Sequence, residues 1–355
     1  MQSIKANEYS IHFSQHSYHF LNELIEEKNY SSIFVLVDNN TNEYSLPIFL
    51  PFIATTKTIE IIEIEAGEEL KNIETCLEIW KILTELGGDR KSVIINLGGG
   101  VISDIGGFVA STFKRGIDFI NVPTSLLAMV DASIGGKNGV DLGNLKNQIG
   151  VINTPEMVVI DTEYLTTLSQ NEMRSGLAEM LKHGLIYDKN YWEQFLNLSS
   201  IDASDLDTLI HRSVEIKNEI VSQDLTENGI RKALNFGHTL GHAIESYFLE
   251  NESKKTLLHG EAIAVGMILE SYISFSKNLL SEVELEHIKN ILLHYFEKLT
   301  FDYNDIESII TLLIHDKKNE YGKVQFCLLN SIGKTVYNQE SDNETINKAF
   351  EFYNS

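Results

Sequence analysis

The stretch SVIINLGGGVISDIGGF, residues 92–108, predicts a strand, a glycine turn and the beginning of a helix. Its β-branched run ends in three consecutive glycines, and an apolar segment follows them. Glycines at such a turn let backbone N–H groups approach a pyrophosphate closely, and the N terminus of the following helix adds partial positive charge. A nucleotide site is one interpretation, and a tight turn that only packs strand against helix is the other. The match to the dinucleotide-binding pattern is imperfect, because Ser103 occupies the position of the third glycine.

Short β-branched runs alternate with helical stretches on both sides of this turn. Such alternation is typical of a parallel sheet with crossover helices. After Asp161 the apolar residues recur at helical spacing, with one predicted hairpin near VQFCLLNSIGKTVY, residues 324–337. The predicted strands are IFVLVD (33–38), IEIIEIE (59–65), SVIINLGGG (92–100), DFINVPT (118–124) and MVVID (157–161), and the predicted helices lie within 205–221, 233–248, 258–276 and 283–298.

The chain is therefore predicted to have two domains of different structural class. A length of 355 residues is enough for two substantial cores. We expect an α/β N-terminal nucleotide-binding domain with a Rossmann-like parallel sheet over residues 1–160, followed by a mainly helical, all-α C-terminal domain over residues 161–355. In the first domain Asp38 ends a strand in FVLVDNN, where a carboxylate could hold ribose hydroxyls.

Composition excludes several classes of protein. Lysine and arginine number 28 against 51 acidic residues, and the net charge of −23 argues against nucleic acid or an anionic membrane surface as partner. No apolar run approaches the roughly 18 residues of a membrane helix, and the first twenty residues lack the pattern of a signal peptide, so a cytoplasmic location is expected. Cys76 and Cys327 lie far apart, which supports neither a disulfide framework nor a cysteine zinc site.

Cationic residues stand out in a chain this acidic. The glycine-rich stretch DASIGGKNGVDLGNLKNQIG, residues 131–150, is predicted to be a loop around a small anion. For any single lysine a solvated surface position is the ordinary interpretation. Together they indicate a small, highly anionic substrate, because ammonium and guanidinium groups bind carboxylate and phosphate well. The residues of this set are Arg115, Lys137, Lys146, Lys217 and Arg231.

A second group of residues has the chemistry of a metal site. LNFGHTLGHAIE, residues 234–245, puts His238 and His242 on one face of a predicted helix. Glu179 in RSGLAEMLKHG and His259 in LLHGEAIAVGM provide further ligand types. One glutamate and two histidines leave an open position on zinc, the pattern of a catalytic site. Spacing alone leaves open which of the histidines at 183, 238, 242 and 259 are ligands.

Five ordered blocks between about residues 90 and 335 resemble 3-dehydroquinate synthase, of the sugar-phosphate cyclase superfamily. The blocks are GGGVISDIGGFVASTFKRG, VPTSLLAMVDASIGGKNGVD, MRSGLAEMLKHG, RKALNFGHTLGHAIE and LLHGEAIAVGM. The resemblance implies a lyase of the shikimate pathway to aromatic amino acids, which converts 3-deoxy-D-arabino-heptulosonate 7-phosphate to 3-dehydroquinate and phosphate. It implies transient oxidation by NAD, phosphate elimination, reduction and intramolecular aldol closure, with zinc or cobalt as the metal, in a homodimer.

The resemblance also implies roles for individual residues, with NAD bound by the first domain and metal and substrate by the second. The metal ligands would be Glu179, His238 and His259, and the catalytic residues His242, which faces the substrate phosphate, Glu227 and Lys182. Substrate contacts would come from Arg115 of a neighbouring subunit and from Asp131, Lys137, Asn147, Lys182, Lys217, Arg231, Asn235 and Lys317 or Lys318. NAD contacts would come from Asp38, Glu68, Lys71, Gly99, Gly100, Val101, Asp104, Thr124, Ser125 and Lys146.

The chain departs from the family pattern at two places. Leu145 stands where a glycine normally precedes the Lys-Asn pair, and SYFLENESKKTLLHG, residues 246–260, is longer than usual.

Three alternative functions compete with this interpretation. The first alternative is a cyclase that makes a deoxyinosose or valiolone, which Lys217 and Arg231 disfavour. The second is an NAD- and metal-dependent polyol dehydrogenase, which would produce NADH. The third is a binding protein without turnover.

Overall fold

A computed structural model describes residues 1–143, 145–196, 203–251, 253–313 and 324–355. The chain divides into two units, Met1–Ser169 and Gln170–Ser355. The first unit ends later than residue 160, because the helical turn Thr162–Thr167 that follows the last strand of the sheet stays with it. Within the described residues, no helix is long and apolar enough to cross a membrane.

The first unit is built on a seven-stranded sheet whose order is β1-β2-β9-β6-β5-β3-β4. Every pair is parallel except β1 with β2. The prediction of a parallel α/β sheet is confirmed, and the buried runs of β5 and β9 are those of strands covered on both faces. The strands are β1 Ile4–Lys5, β2 Ser10–Phe13, β3 Ile33–Asp38, β4 Ile59–Ile64, β5 Val93–Gly98, β6 Asp118–Pro123 and β9 Met157–Ile160, with a separate hairpin of β7 Lys137–Leu142 and β8 Leu145–Ile152. Strands β1 and β2 were not predicted, because SIHF mixes polar and apolar residues and the pair is short.

The helices of the first unit pack an apolar cluster against this sheet. They are α1 Ser17–Lys28, α2 Asn39–Tyr44, α3 Leu46–Phe49, α4 Ile73–Glu85 and α5 Gly100–Thr112. Ile79 and Leu83 of α4 and Ile105 and Val109 of α5 belong to one buried cluster with Phe34 of β3. Burial of these side chains fixes α5 on the sheet, and with it the glycine turn that precedes the helix.

The stretch 131–150 is not the loop that its glycines predicted. Residues 137–142 and 145–152 pair as the antiparallel hairpin β7–β8, in which Gly139 lies opposite Gly150. A Cβ at Gly139 would lie 2.6 Å from the carbonyl oxygen of Ile149, so glycine here allows close approach of two strands. Leu145, where the family pattern has a glycine, is exposed and is the first residue of β8.

The second unit is helical, with the predicted hairpin near its end confirmed as β10 Phe326–Ser331 and β11 Lys334–Gln339. Helix α10 is buried along most of its length, as expected for a helix that is apolar all round, and it packs against α6, α9, α11 and α13. The predicted helix at 233–248 begins only at His238, because residues 230–235 form a 3-10 turn. The helices are α6 Gln170–Tyr187, α7 Lys189–Gln194, α8 Ala203–Gln223, α9 His238–Glu250, α10 His259–Ser276, α11 Glu282–Tyr295, α12 Tyr303–Leu312 and α13 Asn343–Asn354.

Candidate functional site

Three helices of the second unit bring Glu179, His238 and His259 together. Glu179 lies on α6 and is fully buried, while the two histidines are the first residues of α9 and α10. Oε1 of Glu179 lies 3.5 Å from Nε2 of His238 and 3.6 Å from Nε2 of His259. Two ligands that each bind a tetrahedral zinc ion at about 2.1 Å are about 3.4 Å apart. The donor types and the two separations measured from Glu179 therefore fit a divalent metal ion.

The other ring nitrogens of the two histidines have partners that orient them. Nδ1 of His238 lies 3.1 Å from the carbonyl oxygen of Phe236, and Nδ1 of His259 lies 3.3 Å from Oε2 of Glu245. Such outer partners fix the ring and the tautomer of metal-binding histidines. Burial lowers the pKa of His259, but the carboxylates of Glu245 and Glu179 outweigh burial and raise that pKa to about 9. Sequence reasoning missed Glu245, although it follows His238 by seven residues on the same face of α9.

The two remaining candidate histidines have different surroundings. The ring centroid of His242, one turn along α9, lies 5.1 Å from that of His238 and 5.7 Å from that of His259. Nitrogens of these three rings lie within 4.8 Å of one another. His183 is fully buried on α6, and its Nδ1 lies 2.7 Å from Oγ of Ser213 on α8. A nitrogen of His183 also lies within 4.8 Å of a carboxylate oxygen of Glu179, so this histidine is close to Glu179 too, while His242 lies beside His238 and His259.

Glycine contacts explain how the backbones of α6, α9 and α10 come close enough for these side chains to meet. The N–H of Gly260 donates to Oγ of Ser175 at 3.0 Å, and a Cβ at Gly260 would overlap the backbone of Ser175. A Cβ at Gly266 would overlap the carbonyl oxygen of Gly237 and would lie 2.8 Å from the nitrogen of Gly241. The candidate metal site thus depends on close helix packing as much as on its ligands.

The second unit also buries three cations from the predicted substrate-binding set. Lys182, one turn after Glu179, forms an ion pair with Oε2 of that residue. Lys217 on α8 and Arg231 in the 3-10 turn are each at most 5% exposed, and Nη1 of Arg231 donates to the carbonyl oxygen of Leu225 at 2.6 Å. Lysine and arginine are rarely buried without a function or a counter-charge. Lys217 and Arg231 in particular are therefore candidates for binding an anionic substrate, whereas Lys182 already has the counter-charge of Glu179.

Glu227 and Asn235 form a further pair in the second unit. Nδ2 of Asn235 donates to Oε1 of Glu227 at 2.6 Å. Glu227 has a φ of +62°, an uncommon conformation for a residue with a side chain, and it lies in a turn where Asp224 accepts from the N–H groups of Gly229 and Arg231. This turn orients the glutamate next to the 3-10 turn. Lys317 and Lys318 lie outside the described residues.

In the first unit, the predicted nucleotide turn has the expected strand-turn-helix form. Strand β5 ends at Gly98, Gly99 is the N-cap of α5, and Gly100 is the first residue of the helix, followed by the half-buried Val101. The N–H of Thr124 donates to the carbonyl oxygen of Gly98 at 3.0 Å, and a Cβ at Gly99 would lie 3.4 Å from Oγ of Ser125. A helix N terminus with unpaired N–H groups and little side-chain bulk fits a pyrophosphate.

Charged residues from the predicted NAD set are paired close to α5. Nζ of the buried Lys71 contacts Oδ2 of Asp104 and lies 2.7 Å from Oδ1 of Asn147, while Nζ of Lys146 lies 3.2 Å from Oε1 of Glu68. Burial alone would lower the pKa of Lys71, but Asp104 and Glu68 outweigh burial and raise that pKa, so the ammonium stays charged. These contacts join α5, the hairpin β7–β8 and the turn before α4.

The other first-unit candidates lie at the ends of elements. Oδ1 of Asp38 accepts from the N–H of Thr41 at 2.7 Å and caps α2, so part of this carboxylate is already used. Asp131 is half-buried in the turn Ala128–Ala132, and Lys137 is exposed at the start of β7. Arg115 follows α5 with a φ of +73°. Their roles stay predictions.

Comparisons with known proteins agree over most of the chain. Family models described as 3-dehydroquinate synthase N-terminal and C-terminal match residues 61–175 and 176–319. The 3-dehydroquinate synthase of Parabacteroides distasonis is 40% identical over 335 residues, which is 94% of each chain. Among solved structures, 2-deoxy-scyllo-inosose synthase in complex with carbaglucose-6-phosphate, NAD⁺ and Co²⁺ is similar with a TM-score of 0.87 and 26% identity, covering 98% of this chain and 99% of the other. The 2-epi-5-epi-valiolone synthase ValA of Streptomyces hygroscopicus with NAD⁺ and Zn²⁺ has a TM-score of 0.82 and 26% identity, covering 99% and 98%.

Proposed function

The chain belongs to the 3-dehydroquinate synthase family, and from this we propose how its own side chains carry out the reaction of that family. The protein is a lyase that converts 3-deoxy-D-arabino-heptulosonate 7-phosphate to 3-dehydroquinate and phosphate. The observation that carries this conclusion is 40% identity to a 3-dehydroquinate synthase over 94% of the chain. Identity to the deoxyinosose and valiolone synthases is 26%, which disfavours a cyclase for a substrate without a carboxylate.

The metal site of the protein is proposed to consist of Glu179, His238 and His259. The separations of 3.5 and 3.6 Å between their ligand atoms support it, and similar synthases have been solved with Co²⁺ or Zn²⁺. NAD, also present in those structures, would bind at Gly99 and Gly100 with the paired charges of the first unit around it. When bound, NAD accepts and returns a hydride and the metal acts as a Lewis acid for a substrate oxygen.

The remaining side chains would bind the substrate and move protons. Lys217, Arg231 and Lys182 provide charge-assisted hydrogen bonds for the carboxylate and phosphate of the substrate. His242, beside the two ligand histidines, would face the phosphate and pass a proton there. Glu227, held by Asn235, would act as an acid or base in the later steps. Phosphate itself can take the proton that is lost in the elimination, which explains why few dedicated bases are needed.

Gly100→Ala is expected to weaken NAD binding about tenfold while leaving stability unchanged, because a methyl group would stand between the helix N terminus and the pyrophosphate. Among the residues that the structure describes, an added Cβ meets Cβ of Ala132 at the ordinary distance of 3.4 Å. Fluorescence titration with NAD measures the first effect and urea unfolding the second. Unchanged NAD affinity in a stable variant would contradict the assignment of this turn.

Arg231→Ala is expected to keep metal and NAD but to raise KM for the substrate roughly thirtyfold, the equivalent of about 2 kcal/mol for a charge-assisted hydrogen bond. Lys232→Ala is the matched control. Lys232 is the next residue in the chain, and its Nζ contacts Oδ1 of Asn338 at the surface. Steady-state kinetics and metal analysis distinguish the two variants. An Arg231→Ala enzyme with the wild-type KM would remove this residue from the substrate site.

The activity is tested by measuring phosphate release from 3-deoxy-D-arabino-heptulosonate 7-phosphate with catalytic NAD⁺ and zinc or cobalt, while absorbance at 340 nm reports NADH. We expect phosphate and dehydroquinate in equal amounts without lasting NADH. Absence of phosphate release would redirect the search to sugar phosphates without a carboxylate. Steady NADH production from a polyol would instead identify a dehydrogenase. Binding of NAD and metal without any turnover would identify a binding protein.

Assembly and location complete the proposal. A homodimer is proposed because the resemblance assigns Arg115 to the site of a neighbouring subunit. Light scattering of the purified protein would measure its mass in solution, and a monomer of 40.1 kDa would contradict this role of Arg115. A cytoplasmic location stays a proposal, and fractionation of cells would test it.

A further inference from the structure

Glu270 is a carboxylate within an otherwise apolar stretch of helix. It lies on α10, has no exposed surface, and follows the fully or almost fully buried Met267, Ile268 and Leu269. Burial of a carboxylate is unfavourable unless hydrogen bonds replace those that water would make. The groups that donate to its two oxygens therefore indicate why an acidic residue is present here.

Both oxygens of Glu270 accept from the first turn of α9. Oε2 accepts from the N–H of Gly237 at 2.7 Å, and Oε1 accepts from the N–H of Leu240 at 3.1 Å. Gly237 is the N-cap of α9 and Leu240 is its third residue. In a capping box these two N–H groups are satisfied by side chains of the helix itself. In α9, both N–H groups instead donate to the carboxylate of Glu270, which lies on the neighbouring helix α10.

The helix has no room for a capping side chain of its own. Gly237 has a φ of +79°, and a Cβ there would lie 2.5 Å from Cγ of Met267 and 3.2 Å from the carbonyl oxygen of Ile263. The serine, threonine, aspartate or asparagine that usually caps a helix would therefore clash with α10. The close packing of α9 on α10 therefore excludes a capping side chain at position 237. Glu270 of α10 accepts the hydrogen bonds that such a side chain and its partner in a capping box would accept.

The turn that Glu270 holds contains a candidate metal ligand. His238 is the first residue of α9, and its ring is oriented by the carbonyl oxygen of Phe236, 3.1 Å from Nδ1. That carbonyl and the histidine both move if the N–H groups at 237 and 240 lose their acceptor. We propose that Glu270 is a positioning residue for the metal site, which holds the first turn of α9 so that His238 presents Nε2 to the ion. This role rests on the proposed metal site.

Glu270→Gln tests the role, because glutamine has nearly the same size but replaces one acceptor oxygen with an NH₂ group that cannot accept. The matched control is Ser274→Ala, one turn along α10, which removes a buried hydroxyl that accepts from the N–H of Leu329 and donates to the main-chain carbonyl of Glu270, but leaves the carboxylate of Glu270 and its bonds to α9 in place. Three measurements are made on wild type and both variants: zinc affinity by competition with a chelating indicator, the visible spectrum of the cobalt-loaded protein, and urea unfolding of the metal-free protein. Glu270→Asp, which keeps the charge but shortens the reach, is measured as well.

Glu270→Gln is expected to bind zinc about tenfold more weakly and to have a changed cobalt spectrum, as for other residues that support metal ligands. Ser274→Ala is expected to lose similar stability but to keep the wild-type zinc affinity and spectrum. If Glu270→Gln does not fold, Glu270→Asp is expected to show the same changes to a smaller degree. Wild-type affinity and spectrum in the folded Glu270 variants, or equal weakening in Ser274→Ala, would overturn the positioning role alone. A wild-type protein that binds neither metal would overturn the metal site and this role with it.

Discussion

His259→Ala is expected to lose bound metal and activity together, with kcat lower by at least about 10³-fold. The proposed metal site has three ligand atoms, which are Oε1 of Glu179 and Nε2 of both His238 and His259. The substitution removes one of them. A metal acting as a Lewis acid contributes several kcal/mol to the transition state, and about 4 kcal/mol corresponds to this factor. Metal content by mass spectrometry of the dialysed protein and phosphate release measure the two effects.

His294→Ala is the matched control, because His294 is an exposed histidine in the last turn of α11 in the same unit. It is expected to keep both metal and activity. NAD binding by His259→Ala should also be retained, since the proposed NAD residues lie in the first unit, and urea unfolding followed by the fluorescence of Trp192 shows whether the second unit is folded. Full metal occupancy in His259→Ala would remove this residue from the ligand set.

Gly266→Ala is expected to destabilise the second unit by about 3 kcal/mol or more. The added Cβ would overlap the carbonyl oxygen of Gly237, so α9 or α10 must move. Overpacking of a core usually costs about 1–3 kcal/mol, and a backbone atom relaxes less readily than a side chain. The higher helix propensity of alanine offsets at most about 1 kcal/mol of this. Because Gly237 precedes His238, zinc affinity should fall as well.

Tryptophan fluorescence can follow the second unit by itself. The chain has two tryptophans, Trp80 on α4 and Trp192 on α7, so Trp80→Phe leaves Trp192 as the reporter. Urea unfolding is then compared between this background, Gly266→Ala and Ser276→Ala, an exposed position near the end of α10 that should change stability by less than about 0.5 kcal/mol. A Gly266→Ala transition at the same urea concentration as the background would show that the two helices tolerate the methyl group.

Much of the fold followed from local pattern. Strand β3 was predicted with its observed bounds, and the other four predicted strands with small differences at their ends, because buried parallel strands are continuous β-branched runs. The hairpin β7–β8 was missed, since glycines that permit close approach of strands look the same in sequence as glycines of a loop. The start of α9 was predicted too early for a similar reason, because the 3-10 turn before it carries the same apolar spacing.

The residue types of the candidate site could also be read from the sequence. Four candidate histidines and a glutamate in helical segments indicated a divalent metal, and cations in an acidic chain indicated an anionic substrate. Spacing along the chain could not show which of the four histidines are metal ligands, because His183 and His242 lie in predicted helical segments just as the other two do. Their surroundings differ only in the folded chain, where His183 contacts Ser213 and His242 lies beside His238 and His259.

The sequence by itself determined the α/β and helical classes of the two parts, the glycine turn between β5 and α5 and the family, since each depends on residues close together in the chain. Only the tertiary structure decided which side chains support the site. Glu245 reaches Nδ1 of His259, Ser175 holds Gly260, and Glu270 caps α9 across a contact that leaves no room for a cap at Gly237. These contacts join residues far apart in sequence, and their geometry depends on how closely whole helices pack.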